Sequence, residues 1–239
     1  LTTTPAKAGE SDCDVPPNKE TIGNCTLYLG DALDLLKVLT GIQAIITDPV
    51  WPNCPTGLLA GWEDPDGLFA DFCQSLPAEL RQLVVCMRND SDPRVLRHVS
   101  DRLPFQQMAW CQYVMPGYLG RVLGGNETAY VFGKPVRSSP GRRVIPSVSP
   151  KAQPGDRPPN GHPCSRALIH QEWLVNWFSD EGETVCDPFM GSGTCGVACV
   201  RKGRAFVGIE IEPRYFDIAC ARIEKAQRQP DQIMLDMGD

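Results

Sequence analysis

The chain has 239 residues, 42% hydrophobic and 22% charged, with a formal charge of -6 at pH 7. That suffices for one large α/β domain, or one domain with a modest insertion, at the composition of an ordinary soluble globular protein. No apolar run nears the roughly 20 residues that span a bilayer, and so acidic a chain gives no global signal for nucleic acid. The eleven cysteines are irregularly spaced, form no CxxC pair and are joined by only three histidines, so no metal is expected. Cys86, Cys186 and Cys220 lie in apolar stretches as small hydrophobes, which fits a reducing cytoplasm.

Residues 1–22, rich in Thr, Pro and charge and lacking the apolar centre of a signal peptide, read as a disordered lead-in. A strand over 25–29 then ends at Gly30 and Asp31, followed by a helix over 32–39. A buried strand over 42–47 terminates at Asp48 and opens a Pro/Gly-rich loop reaching Asp66. A helix over 67–76 and a strand over 83–87 follow, and Asp90 caps a further helix with Pro93 in its first turn. Strands near 107–113 and 128–132 read as a hairpin at a sheet edge. An amphipathic helix is expected over 165–178, a strand up to Asp187, a helix over 193–202, a strand over 205–209 closed by Glu210, and a final helix over 213–227. Strands alternating with helices imply a doubly wound, mostly parallel sheet of seven strands with an antiparallel edge hairpin.

Charge is uneven along this order. Between Lys134 and Arg166 there are seven basic residues against Asp156 alone, in a stretch rich in Pro, Ser and Gly. It reads as an extended basic loop, either a phosphate contact through Arg137, Arg142, Arg143, Lys151 and Arg157 or a solvated linker.

The most informative segment is Thr184-Val185-Cys186-Asp187-Pro188-Phe189-Met190-Gly191-Ser192-Gly193-Thr194. An apolar run, an acid and a glycine turn lead into a helix, and the next strand closes on Glu210. That is a nucleoside-binding βαβ unit, with glycines admitting a ligand and a terminal acid able to accept ribose hydroxyls. An acid ahead of the turn suits an amine-bearing ligand better than a pyrophosphate, which it would repel. Four strands end on or beside an acid (Asp31, Asp48, Asp187 and Glu210), and ligands in such sheets bind beyond the strands' carboxyl ends. Asp48 leads into Pro49-Val50-Trp51-Pro52, a turn suited to holding a flat ring, with core filling by Trp51 as the lesser alternative.

The order of GD, DPxW, a basic loop, HPxxR, DPFMGSGT and GIEIExxYxxxAxxR resembles the permuted (β-group) DNA amino-methyltransferases over roughly Cys25 to Arg228. The resemblance implies a Rossmann-like methyltransferase fold and transfer of a methyl group from S-adenosylmethionine to an exocyclic amine of a flipped base in DNA. It places the catalytic role on Asp48, Pro49 and Trp51. It places cofactor binding on Asp31, His162, Pro163, Arg166, Asp187, Pro188, Phe189, Gly191, Ser192, Gly193, Thr194 and Glu210. Asp at the head of the tetrapeptide points to adenine N6, with cytosine N4 as the alternative. Val50 stands where the family has a second proline, which leaves open a weakened, regulatory relative. Methylation of RNA or of a small molecule on the same fold is a further alternative. Cys111 in Trp110-Cys111-Gln112 is expected to be core and not a nucleophile.

The resulting organisation is one methyltransferase domain, 23–239, with a catalytic half at 23–134, a minimal target-recognition insert at 135–161 and a cofactor half at 162–228. DNA is the expected partner, no membrane is expected, the cytoplasm is the expected location, and a homodimer is compatible with the sequence.

Overall fold

A computed structural model describes residues 18–119, 122–134, 146–156 and 161–228. Arg137, Arg142, Arg143 and Arg157 lie outside the described residues, as does 1–17.

The sheet is built around five parallel strands. They are β2 (Cys25–Leu29), β8 (Ala205–Glu210), β7 (Thr184–Asp187), β3 (Ala44–Thr47) and β4 (Gln82–Arg88), neighbours in that order. The expected antiparallel hairpin, β5 (Phe105–Leu119) with β6 (Val122–Gly133), continues from β4.

The sheet has eight strands, not the expected seven. The addition is β1 (Asn18–Ile22), antiparallel to β2, from a stretch the sequence places in the disordered lead-in. Its residues NKETI are almost all exposed, so no apolar alternation marks the strand. Backbone pairing with β2 accounts for it instead. A second correction concerns the basic stretch, which is not wholly a free loop. Ser147 to Ala152 runs along β5: Trp110 N donates to Ser147 O at 2.8 Å, and Ala152 N to Gln112 O at 2.8 Å. This segment satisfies the backbone groups of an otherwise open edge.

Strand residues alternate between two apolar layers. On one face Ala44, Ile46, Val84, Cys86 and Val185 meet α3 (Leu168–Phe178), α4 (Thr194–Arg201) and α5 (Pro213–Arg228). On the other Ile45, Leu83, Val85 and Cys186 meet α1 (Ala32–Leu36), α2 (Pro65–Gln74) and the turn Pro93–His98. Helix starts follow their caps: Asp31 accepts from Leu33 N at 2.7 Å, and Asp64 accepts from Gly67 N at 2.9 Å with Pro65 opening α2. Asp64 therefore moves the start of α2 ahead of the expected Gly67. Asp92, not Asp90, caps the turn at Pro93, because Asp90 is engaged by Arg88 at 2.7 and 2.9 Å. Helix α3 begins at Leu168 and not Ser165, since Ser165 and Arg166 extend away to other partners.

Cys111 is buried and its thiol is pushed up to about 12 by burial, which agrees with the expected core role. Among the described residues no helix is long and apolar enough to cross a membrane, and no cluster suited to a metal ion is found.

Candidate active site

Beyond the carboxyl ends of β2, β8, β7 and β3 lies a cavity of about 570 Å³, within the range of cofactor sites. It is lined by Asp31, Asp48, Trp51, His162, Arg166, Asp187, Pro188, Phe189, Gly191, Ser192, Thr194 and Glu210. All of these come from the sequence-based set. Pro49, Pro163 and Gly193 are not in its wall.

The glycine turn after β7 is built on backbone bonds. Glu210, at the end of β8, accepts from Gly191 N at 2.7 Å through one carboxylate oxygen and from Glu212 N at 2.8 Å through the other. Gly191 adopts φ +53°, and a Cβ there would stand 3.0 Å from His162 Nε2. Gly193 (φ +75°) is required for a different reason: a Cβ would meet Ala219 of α5 at 2.8 Å, so it permits helix packing and does not face the cavity. Arg222 of α5 donates to Ser192 O, and to Ser192 Oγ and Thr194 Oγ1 at 3.1 Å each. It thereby fixes the turn to the last helix. Arg222 and Ala219 belong to the GIEIExxYxxxAxxR block, but the sequence assigns them no role.

Asp187 is buried, and burial pushes its carboxyl up to about 7. Its Oδ1 accepts from Thr47 Oγ1 at 2.8 Å and from Phe189 N at 3.2 Å, which oppose that rise. Thr47 thus joins the end of β3 to the end of β7 across the crevice. An acid held in this state is relieved by an incoming cation. His162 is depressed to about 4 by burial and by Arg214, Arg166 and Arg222, so its ring is neutral at neutral pH. Its Nδ1 accepts from Cys164 N at 3.2 Å, and the ring meets Tyr215 edge-on at 4.4 Å.

The turn at 48–51 is held differently. Arg166, which the resemblance places at the cofactor and which lines the same cavity, donates through Nε and Nη2 to both oxygens of Asp48, at 2.5 and 2.6 Å. Its Nη1 reaches Glu127 Oε1 of β6 at 2.6 Å, and Tyr113 OH donates to the same oxygen at 2.8 Å. Carboxylates therefore take all three guanidinium nitrogens. A planar fork matches such a bidentate partner and stays charged where a lysine could deprotonate. Burial raises the Asp48 carboxyl, and Arg166 pulls it back toward the ionised form. Trp51 is 3% exposed, with the Arg88 guanidinium 5.6 Å from its ring, so it is less open as a stacking platform than the sequence suggests. Val50 is buried and lines the cavity beside it. The loop that sequence marks only as Pro/Gly-rich contributes Leu58, Leu59 and Trp62 to the wall. Lys151 is exposed on the segment along β5, away from the cavity lining.

A largely parallel sheet with an antiparallel edge pairing, a permuted strand order and acids gathered beyond its strand ends defines a Rossmann-like α/β fold class. The DNA methylase family of the N6/N4 type matches residues 100–221, just over half of the chain, and the chain belongs to that family. Its sequence is 41% identical over 63 residues to the type II methyltransferase M2.DpnII of Streptococcus pneumoniae. That match spans 26% of this chain and 24% of that protein. It is 54% identical over 43 residues to the type II methyltransferase M.Cfr9I of Citrobacter freundii, 18% of this chain and 14% of that one. The chain thus spans a quarter or less of these relatives' lengths. The fold is similar to that of M1.HpyAVI, solved as a complex with SAM, with a TM-score of 0.64, 22% identity and coverage of 83% and 98% of the two chains. It is likewise similar to the PvuII DNA methyltransferase, described as cytosine-N4-specific, with a TM-score of 0.62, 19% identity and coverage of 90% and 94%.

Proposed function

We propose that the protein transfers a methyl group from S-adenosylmethionine to an exocyclic amine of a base in DNA, with adenine N6 as the favoured target. The observation that carries this reading is the convergence of Asp48, Asp187 and Glu210 on one cavity. One of these acids heads an aromatic turn and another precedes a glycine turn.

The residues fit such a cofactor. Asp187, pushed up to about 7 by burial with no cationic partner among the described residues, gains from an ammonium group. Gly191 leaves the turn open where a side chain would crowd His162. Asp31 and Glu210 stand at the ends of neighbouring strands and line the cavity, where they would face the nucleoside of the cofactor. When bound, the cofactor supplies an activated methyl group on a sulfonium. Asp48, His162, Ser192 and Thr194 are among the polar groups of the remaining wall.

This chain's own contribution is to ready the amine. An exocyclic nitrogen is a poor nucleophile because its lone pair is delocalised into the ring. Accepting a hydrogen from it at Asp48, which lines the cavity, draws the nitrogen toward a tetrahedral form and frees that pair. Arg166 uses one lone pair on each Asp48 oxygen, and a carboxylate retains further acceptor sites for the amine. Rate comes from positioning and fixed charge, with no covalent enzyme intermediate. A base reaching the turn must leave the duplex, and Trp51 forms one wall of its pocket.

A second reading, cytosine N4, is favoured by the similarity to a protein described as cytosine-N4-specific. Nucleoside analysis of treated DNA separates the two: N6-methyladenine supports the first and N4-methylcytosine the second. Binding of S-adenosylmethionine without transfer to DNA would instead indicate a regulatory relative. The cytoplasm and a homodimer remain parts of the proposal, tested by fractionation and by sedimentation.

A further inference from the structure

Arg166 creates an electrostatic difficulty for this site. A carboxylate paired one-to-one with a guanidinium is neutral as a pair, so Asp48 alone would present little charge to the amine. Yet charge is needed there. As the N–CH3 bond forms and the S–CH3 bond breaks, the S–C electron pair stays on sulfur. Positive charge then passes to the amine nitrogen, which becomes neutral when one N–H proton leaves to water.

Glu127 changes the sum. It lies on β6, in register with Arg88 of β4 and Cys111 of β5, and its side chain is 9% exposed. It takes the third guanidinium nitrogen of Arg166 at 2.6 Å, and Tyr113 OH donates to it at 2.8 Å. His170 packs edge-on against the Tyr113 ring at 4.8 Å and is anchored to the Gln112 carbonyl at 2.7 Å. Glu127 does not line the cavity. Buried ion triads are seldom worth more to stability than apolar packing of the same shape, so stability alone does not account for an acid here.

We infer that Glu127 is an electrostatic positioning residue: it holds Arg166 against Asp48 while neutralising it, so that the triad keeps a net negative charge facing the amine. The inference rests on the methyl-transfer reading. Among the described residues, the charged and titratable groups facing Asp48 are Arg166 and Cys164 from the α3 lead-in, Glu127 from β6, Arg88 and Cys86 from β4, and Asp187 from β7. Of these, Glu127 and Asp187 oppose ionisation of Asp48, and Arg166 and Arg88 favour it.

Glu127→Gln keeps an acceptor for Arg166 and removes only the charge. At saturating S-adenosylmethionine and unmethylated genomic DNA, its plateau rate should fall about tenfold or more. Its calorimetric affinity for the cofactor should stay within about twofold. The acid limb of its pH–rate profile should move to lower pH, because a repelling charge has left Asp48. Glu127→Asp should restore most of the rate. An unchanged rate overturns the inference, and so does an acid limb that moves upward, the signature of Arg166 having let go of Asp48. If Glu127→Gln does not fold, Glu127→Asp against the parent carries the test: with the charge kept and one methylene lost, a partial loss of plateau rate with cofactor affinity unchanged and the acid limb in place supports the proposal, and no loss overturns it. A parent enzyme with no transferase activity would sink the functional reading itself, whereas an active parent matched by Glu127→Gln sinks only this inference.

Discussion

The two halves of the cavity are held by different means. Around the glycine turn, backbone N–H groups of Gly191, Phe189 and Glu212 bind fixed acids at strand ends. Around the 48–51 turn, charged side chains from β3, β6 and the α3 lead-in grip one another. Backbone-held geometry follows from local chain order, whereas the side-chain lattice depends on partners brought together only by the completed fold. Among the described residues, Arg222 of α5 is the one distant charge tied to the glycine turn; apart from it the cofactor half should tolerate loss of a distant charge, and the base half should not.

Removing the Asp48 carboxylate is the sharpest way to break this comparison. Asp48→Ala should cut methyl transfer by about 10²- to 10⁴-fold, while calorimetry finds cofactor affinity nearly unchanged. An equal loss of both would show that the two halves are not separable. Glu210→Ala should do the converse. It leaves two backbone donors without their carboxylate partner, at about 1–3 kcal/mol each, and should weaken cofactor binding roughly ten- to a hundredfold.

These two sites also show what the sequence could disclose. DPFMGSGT and GIEIE were readable because the turn demands glycine at Gly191 and Gly193 and an acid at each strand end, all within a short span. The role of Arg166 was not. Its partner Asp48 is 118 residues away, and Glu127 sits in a strand whose neighbours gave no reason to bury an acid. Strand β1 was missed because its side chains are exposed and its order comes from backbone pairing. The wall formed by Leu58, Leu59 and Trp62 was hidden in a loop without periodicity.

Proton linkage sharpens the cofactor half. Asp187 is raised to about 7, against an ordinary value near 4, so between those values the folded state holds a proton that the unfolded chain has released. Its contribution to apo stability is therefore largest at low pH and is lost as pH rises toward 7. An ammonium ligand requires the ionised form, so binding should weaken below pH 7 by up to about tenfold per pH unit. Titrations at pH 6 in buffers of different ionisation enthalpy should detect proton release, and those at pH 8.5 should not. Thr47→Val removes a donor to Asp187 and should shift that dependence upward, costing a few-fold in affinity at pH 7 and little at pH 8.5.

The smallest expected effect concerns the basic stretch. If the basic stretch contacts phosphates, replacing Arg142 and Arg143 together with Ala should flatten the slope of log affinity for duplex DNA against log salt by roughly 2. An unchanged slope would leave that stretch as a solvated linker.

The most direct trial of the account uses methyl-labelled S-adenosylmethionine, unmethylated DNA, and the parent chain beside Asp48→Ala. Mass spectrometry of the digested nucleosides should find the label on an exocyclic nitrogen with the parent. The variant should bind the cofactor and leave the DNA unlabelled. Label on a ring carbon, or equal labelling by both proteins, would contradict it.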